Sequence, residues 1–151
     1  MDNILIRQAE EKDLAAILDL VRDLAIYEKA EDQLTAILED YKKNFKEGVF
    51  EAIVAEQEGK VVGMALYYLT WSTWRGRMLY LEDFVVKEHL RGAGFGNKLF
   101  DATVQRAKDL DCFLMKWQVL DWNTPAVKFY EKKEAIIEKE WWNGKIFLKP
   151  V

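Results

Sequence analysis

Cysteine, histidine and proline are nearly missing from this chain, and glycine is sparse. One cysteine, one histidine, two prolines and eight glycines stand among 151 residues. A lone Cys112 excludes an internal disulfide and any cysteine-rich metal site. A lone His89 argues in the same way against a histidine-ligated zinc, so no metal is expected. With so little proline, and half of all residues apolar, long disorder is not expected either. No apolar run approaches the ~18 residues of a membrane span, and the first residues run into charged, helix-like sequence instead of a signal peptide. The expectation is a cytoplasmic protein. Positive charge is not in excess: the net charge is −4, which argues against nucleic acid or an anionic membrane as partner and agrees weakly with a cationic small substrate. Repeats, linkers and low-complexity tracts are absent, so residues 1–151 read as a single domain large enough to bury a core.

The scarce glycine is concentrated. In Leu90-Arg91-Gly92-Ala93-Gly94-Phe95-Gly96-Asn97-Lys98-Leu99-Phe100, three glycines alternate directly after a strand-like run, Met78 to Val86. Glycines at such spacing let the backbone turn sharply and present its N–H groups. Lys98 to Lys108 then follows as an amphipathic helix, with Leu99, Phe100, Thr103, Val104 and Ala107 at helical spacing. A glycine turn opening a helix is an anion site, because unpaired N–H groups and the positive end of the helix dipole meet there. Arg91 adds a permanent charge suited to phosphate. Two familiar phosphate loops do not fit. The G-x-G-x-x-G pattern needs glycine where the chain has Asn97, and the Walker pattern needs Ser or Thr where it has Leu99.

Taken in order, the chain predicts a strand at Ile4 to Arg7 and a helix from Glu10 to Tyr27, its apolar face lined by Leu14, Ile17, Leu18, Val21 and Leu24. Asp13 is expected in the first turn of that helix, where a carboxylate opposes the dipole favourably. A second helix is expected from Leu34 to Phe45, ending near Gly48. Phe50 to Glu56 and Lys60 to Trp71 read as strands joined at Glu58-Gly59. After Met78 to Val86 and the glycine helix come a strand at Cys112 to Val119, a helix at Pro125 to Lys133, and two strands, Ala135 to Glu140 and Lys145 to Leu148, around Asn143-Gly144.

The glycine turn resembles the R-G-x-G-[FIL]-G-x-x-L turn of the GNAT N-acetyltransferases, and the order β-α-α-β-β-β-α-β-α-β-β is similar to that family over the whole length. Within it the chain looks most like the diamine acetyltransferases and their thialysine-acetylating relatives. The residues that carry this closer likeness are Leu24 to Glu28, Tyr80-Leu81-Glu82-Asp83-Phe84-Val85-Val86, and Trp122-Asn123-Thr124-Pro125-Ala126-Val127-Lys128-Phe129-Tyr130. The resemblance implies an α/β (α+β) acyl-CoA N-acyltransferase fold, with a mixed, mostly antiparallel sheet flanked by helices. It also implies transfer of an acetyl group from acetyl-CoA to a primary amine, and a homodimer.

Roles follow from the resemblance residue by residue. Alkylamines are almost fully charged at neutral pH, their pKa lying near about 10.4, so a base must take a proton before the nitrogen can attack. Glu82 matches the family's base. Asp83 points to the opposite face of a regular strand, unless a local bulge brings both carboxylates to one side. Tyr130 matches the general acid; a phenol with pKa near about 10 is protonated at pH 7 and can hand its proton to a departing thiolate. Backbone N–H groups among Phe84, Val85 and Val86 would steady the acetyl oxygen, a contribution of about 3–4 kcal/mol to the barrier. Arg91, Gly92, Ala93, Gly94, Phe95, Gly96 and Asn97 would hold the diphosphate, and Asn123, Pro125 and Ala126 the pantetheine side. Tyr27, Glu28, Lys116, Trp117, Gln118 and Glu140, with Glu82 and Asp83, match the amine side. Trp71, Trp74, Trp141 and Trp142 either offer cation–π faces or belong to a core or interface.

Two positions depart from the family. Ser72 stands where the diamine enzymes carry an acidic residue, which favours a shorter amine or a thialysine-like side chain over a long polyamine. Glu134 stands where glycine is usual, so a slightly different turn is expected there. Two other readings stay open: an acetyltransferase of protein or peptide amines, and a non-catalytic acyl-CoA-binding module.

Overall fold

The computed structural model describes residues 3–151. The chain divides into two compact units, one ending at Trp117 and the other running Gln118–Val151. The first unit holds a five-stranded sheet in the order β1-β2-β3-β4-β5, with β1 Ile4–Gln8, β2 Glu51–Gln57, β3 Lys60–Ser72, β4 Gly76–Val86 and β5 Leu114–Lys116. Neighbours from β1 to β4 are antiparallel, and β5 lies parallel to β4. Three helices accompany it: α1 Leu14–Tyr27, α2 Leu38–Lys46 and α3 Phe95–Asp109. The second unit contains α4, Thr124–Lys132. No helix among the described residues is long and apolar enough to cross a membrane.

Strand alternation gives the sheet two apolar faces, each covered by a helix. Met64, Leu66, Val54, Ala52 and Val85 pack with Leu14, Ile17 and Leu20 of α1. The opposite face meets α3: Phe84 stands edge-on to Phe100, and the Tyr67 hydroxyl accepts from Nε of Arg106 at 3.2 Å. Burying eight such core side chains on the α1 face supplies the main folding drive, about 25 cal/mol per Å² of apolar surface removed from water.

Local chemistry explains the boundaries. Arg7 reaches Asp13 with two hydrogen bonds, 2.8 and 3.0 Å, and Glu56 with a third group of contacts at 2.9 Å. Asp13 is buried, and its Oδ2 also accepts from the Glu10 N–H at 2.7 Å; it closes the single turn Glu11–Asp13 that leads into α1, and so stands just before the helix instead of in its first turn. Arg7 holds the Asp13 carboxyl below the ordinary carboxylate range. Glu58 and Gly59 both have positive φ, 52° and 80°, which matches the primed turn of a two-residue hairpin. The glycine helix begins at Phe95, earlier than the periodicity of Lys98 to Lys108 predicts, because an N-terminal turn of glycines carries no apolar pattern.

Two expectations are corrected. Ala135 to Glu140 and Lys145 to Leu148 form no strands, and every residue from Glu138 onward is exposed. Asn143-Gly144 is a hairpin signal, yet a hairpin alone is marginal in water and needs a sheet or a second layer to hold it. The strand expected over Cys112 to Val119 is formed only at Leu114–Lys116. Glu134 has a φ of 63°, so the turn there takes the left-handed conformation that favours glycine, with glutamate in place.

Candidate active site

The register between β3 and β4 slips at one place. Leu66 faces Asp83, whereas Tyr67 faces Leu81, leaving Glu82 as the extra residue of a β-bulge. Directly opposed residues share a face of the sheet. Leu81 therefore lies with Tyr67 on the α3 side, and Asp83 lies with Leu66 on the α1 side. Glu82 is turned to that same α1 side, where its Oε1 accepts from the Tyr68 hydroxyl at 2.6 Å. In a regular strand neighbouring side chains point opposite ways; the bulge puts two adjacent carboxylates on one face.

That face is acidic and aromatic. Tyr68 and Tyr80, cross-strand partners, stack with centroids 5.5 Å apart. Glu28 caps the C-terminal end of α1, half-buried, and burial raises its carboxyl above the ordinary range. Burial, then the charges of Glu82 and Glu28, push Asp83 up to about 7. Tyr41 of α2 is raised first by burial and then by Asp83 and Glu82. Three carboxylates thus converge with tyrosines where a cation would find both charge and ring faces.

The glycine turn closes the same end of β4. Gly92 and Gly94 have φ of 86° and 89°, a region in which side-chain-bearing residues are strained, and no atom stands within 4 Å of where a Cβ would be. Gly94 is the N-cap of α3 and no side chain caps it, so the leading N–H groups of the helix are presented at an open turn. Arg91 is exposed; its Nε donates to the Val86 carbonyl at 3.4 Å, and its guanidinium lies 5.4 Å from the Tyr27 ring centroid. Glycine conformation, open space, helix terminus and arginine together fit a diphosphate. His89 beside them is exposed.

β5 pairs with β4 only at Met78, Leu79 and Tyr80. Among the described residues no strand pairs with the outer edge of β4 from Leu81 onward, the stretch that includes Phe84, Val85 and Val86. Lys116 ends β5, and Trp117 stands edge-on to Phe100 at 5.6 Å.

The remaining predicted residues belong to the second unit. Asn123 is the N-cap of α4, its Oδ1 accepting from the Ala126 N–H at 3.4 Å, with Pro125 in the first turn. Tyr130 is buried and stands edge-on to Phe129. Gln118 donates to Asn143, and Glu140 is exposed. Trp71, Trp74, Trp141 and Trp142 are all exposed, which removes them from the core of the chain. Ser72 has a structural use: its Oγ accepts from the Arg75 N–H in the β3–β4 turn. A cavity of about 460 Å³, lined by Trp71, Arg75, Arg77, Asp111, Cys112 and Phe113, lies toward the other end of β4 and holds none of the predicted site residues apart from Trp71.

Sequence reasoning brought Tyr27, Glu28, Glu82, Asp83 and the glycine turn to one region, and missed Tyr41, Tyr68 and Tyr80. Their aromatic spacing was visible, but the pairing of Tyr68 with Glu82 depends on a register that the bulge displaces.

Known proteins resemble this chain in sequence and in fold. Residues 14–134 match the family described as acetyltransferase (GNAT) family. Over 156 residues the chain is 39% identical to a thialysine N-epsilon-acetyltransferase of Sus scrofa, covering 95% of this chain and 92% of the relative. It is 33% identical over 145 residues to spermidine/spermine N(1)-acetyltransferase-like protein 1 of Homo sapiens, covering 90% of this chain and 21% of that protein. Among solved structures, an aminoglycoside acetyltransferase from an uncultured soil metagenomic sample superposes with a TM-score of 0.81 at 22% identity, covering 97% of each chain, a likeness of fold.

Proposed function

The chain belongs to the GNAT acetyltransferase family, an acyltransferase family that uses acetyl-CoA as co-substrate, and from that premise we propose that it acetylates a primary amine of a small molecule, of diamine or thialysine type. The observation that carries the amine is the bulge at Glu82, which sets Glu82 and Asp83 on one face with Glu28. A cationic amine is drawn there by charge, and the tyrosine rings give its methylenes an apolar surface.

Arg91, the N–H groups of Gly92 to Asn97, and the open edge at Phe84, Val85 and Val86 would hold the co-substrate, with Asn123, Pro125 and Ala126 assigned to it by resemblance. Acetyl-CoA supplies an acetyl group activated as a thioester. Glu82 accepts a proton from the bound ammonium, directly or through water, and the freed nitrogen lone pair forms the new C–N bond without an acyl-enzyme. Tyr130, assigned by resemblance, donates its phenolic proton to the thiolate as the C–S bond breaks, and the proton that the acylated nitrogen then sheds restores the phenol. Tyr27, Glu28 and Asp83 orient the amine, and Lys116, Trp117, Gln118 and Glu140 are assigned to the same side by resemblance. A homodimer belongs to the same reading.

The test is an acetylation screen with released thiol as readout, spanning putrescine, spermidine, thialysine, lysine, aminoglycosides and short peptides. Turnover is expected with a small diamine or thialysine, and Glu82→Gln should cut it at least a hundredfold. Turnover of peptides alone would move the protein to the peptide-acetylating reading. Coenzyme binding without turnover on any amine would leave a non-catalytic binding module.

A further inference from the structure

Glu82 is held from one place. As the bulged residue it has no cross-strand partner on β3, it is exposed, and it sits beside Asp83, whose charge repels it. Left alone, such a side chain would turn toward water and away from its neighbour. The Tyr68 hydroxyl prevents that with a hydrogen bond of 2.6 Å to Oε1, the short distance of an O–H donor meeting a carboxylate. The Tyr68 ring cannot easily swing, because it stacks on Tyr80, directly opposite on β4.

Resting on the reading of Glu82 as base, we infer that Tyr68 is its positioning residue: it occupies one carboxylate oxygen and aims the other at the amine. The bond engages Oε1, so Oε2 is the atom that takes the proton. Burial and the Glu82 charge both raise the Tyr68 phenol, so it remains a donor throughout the neutral range. Other charged or titratable groups that bear on this face are Asp83 and Tyr80 of β4, Glu28 and Arg22 of α1, and Tyr41 of α2. Among the described residues none of these groups hydrogen-bonds to Glu82, so none substitutes for Tyr68.

Tyr68→Phe keeps the ring, the stack and the fold, and removes one oxygen. With thialysine as the probe amine, kcat/KM should fall about tenfold while coenzyme affinity in calorimetry stays unchanged. The acid limb of the kcat/KM profile should move to higher pH, because a hydrogen bond that favours the ionised carboxylate pair is gone. In a double-mutant cycle, Tyr68→Phe should cost nothing further once Glu82→Gln is present. An equal additional loss in the Glu82→Gln background, or an unchanged pH profile, would overturn the positioning role. Full activity of Glu82→Gln would instead overturn the reading of Glu82 as base, a result that Tyr68→Phe alone cannot produce.

Discussion

Asp83 is the residue in which the chemistry of the site becomes measurable as stability. Its carboxyl, ordinarily at 3.8, stands at about 7 because burial and the charges of Glu82 and Glu28 oppose ionisation. The folded state therefore keeps a proton that the unfolded chain has released, and between these values the native protein binds more protons than the unfolded one. Stability then falls as pH rises from about 4 to about 7. Asp83→Asn removes that loss. Its Tm relative to the wild type should improve between pH 5 and pH 8, while amine turnover declines. A Tm difference that stays flat across this interval would show that Asp83 is ionised at no cost. Asp13 has the opposite sign: Arg7 and the Glu10 N–H favour its charged form, and its contribution is present at neutral pH and lost on acidification below the ordinary carboxylate range. Function and folding thus ask opposite things of two aspartates in one unit.

The helices share one way of ending. After α1, α2, α3 and α4 the chain turns through a left-handed residue, Lys29, Gly48, Asp111 and Glu134 respectively. In each case the next residue's N–H returns to the last turn, as Ala30 to Ala25, Val49 to Asn44, Cys112 to Ala107 and Ala135 to Tyr130. Glycine fills that position only after α2, so the other three carry backbone strain of about 1–2 kcal/mol each, set against the entropy that a glycine would lose. Glu134→Gly should therefore stabilise by about 0.5–1 kcal/mol in denaturant unfolding, with catalysis unchanged. Gly94→Ala should do the reverse. The added methyl meets no atom within 4 Å, so only the φ of 89° opposes it, and the disturbed N-terminal turn of α3 should weaken coenzyme binding at least tenfold. Equal stability of wild type and Glu134→Gly would mean that the turn relaxes its strain elsewhere.

For the molecule as a whole, the most consequential feature is the apolar surface of its last residues. Ile136, Trp142, Ile146 and Leu148 are each more than four-fifths exposed, on a segment that forms no strand. Single apolar side chains are ordinary on a surface, but a run of this kind is what an interface uses. The homodimer reading predicts sedimentation at the mass of two chains at micromolar concentration, and a chain shortened after Glu134 should sediment as a monomer. Monomeric behaviour of the full chain would remove the homodimer.

Much of this protein was readable from local residue choice alone. The alternation of glycines announces a sharp turn at the start of α3, the pair Glu58-Gly59 announces a hairpin, and helical spacing announces α1, α3 and α4, because each is governed by neighbours within a few positions. The family likeness rests on the same short strings. The bulge, the side of the sheet on which Glu82 emerges, and the tyrosines around it depend on which residue of β3 lies opposite which residue of β4. A slip of one position exchanges the two faces, and no local pattern records it. The last two expected strands fail for a related reason: the Asn143-Gly144 turn signal prepares two segments to pair, and only a sheet or a second layer holds them.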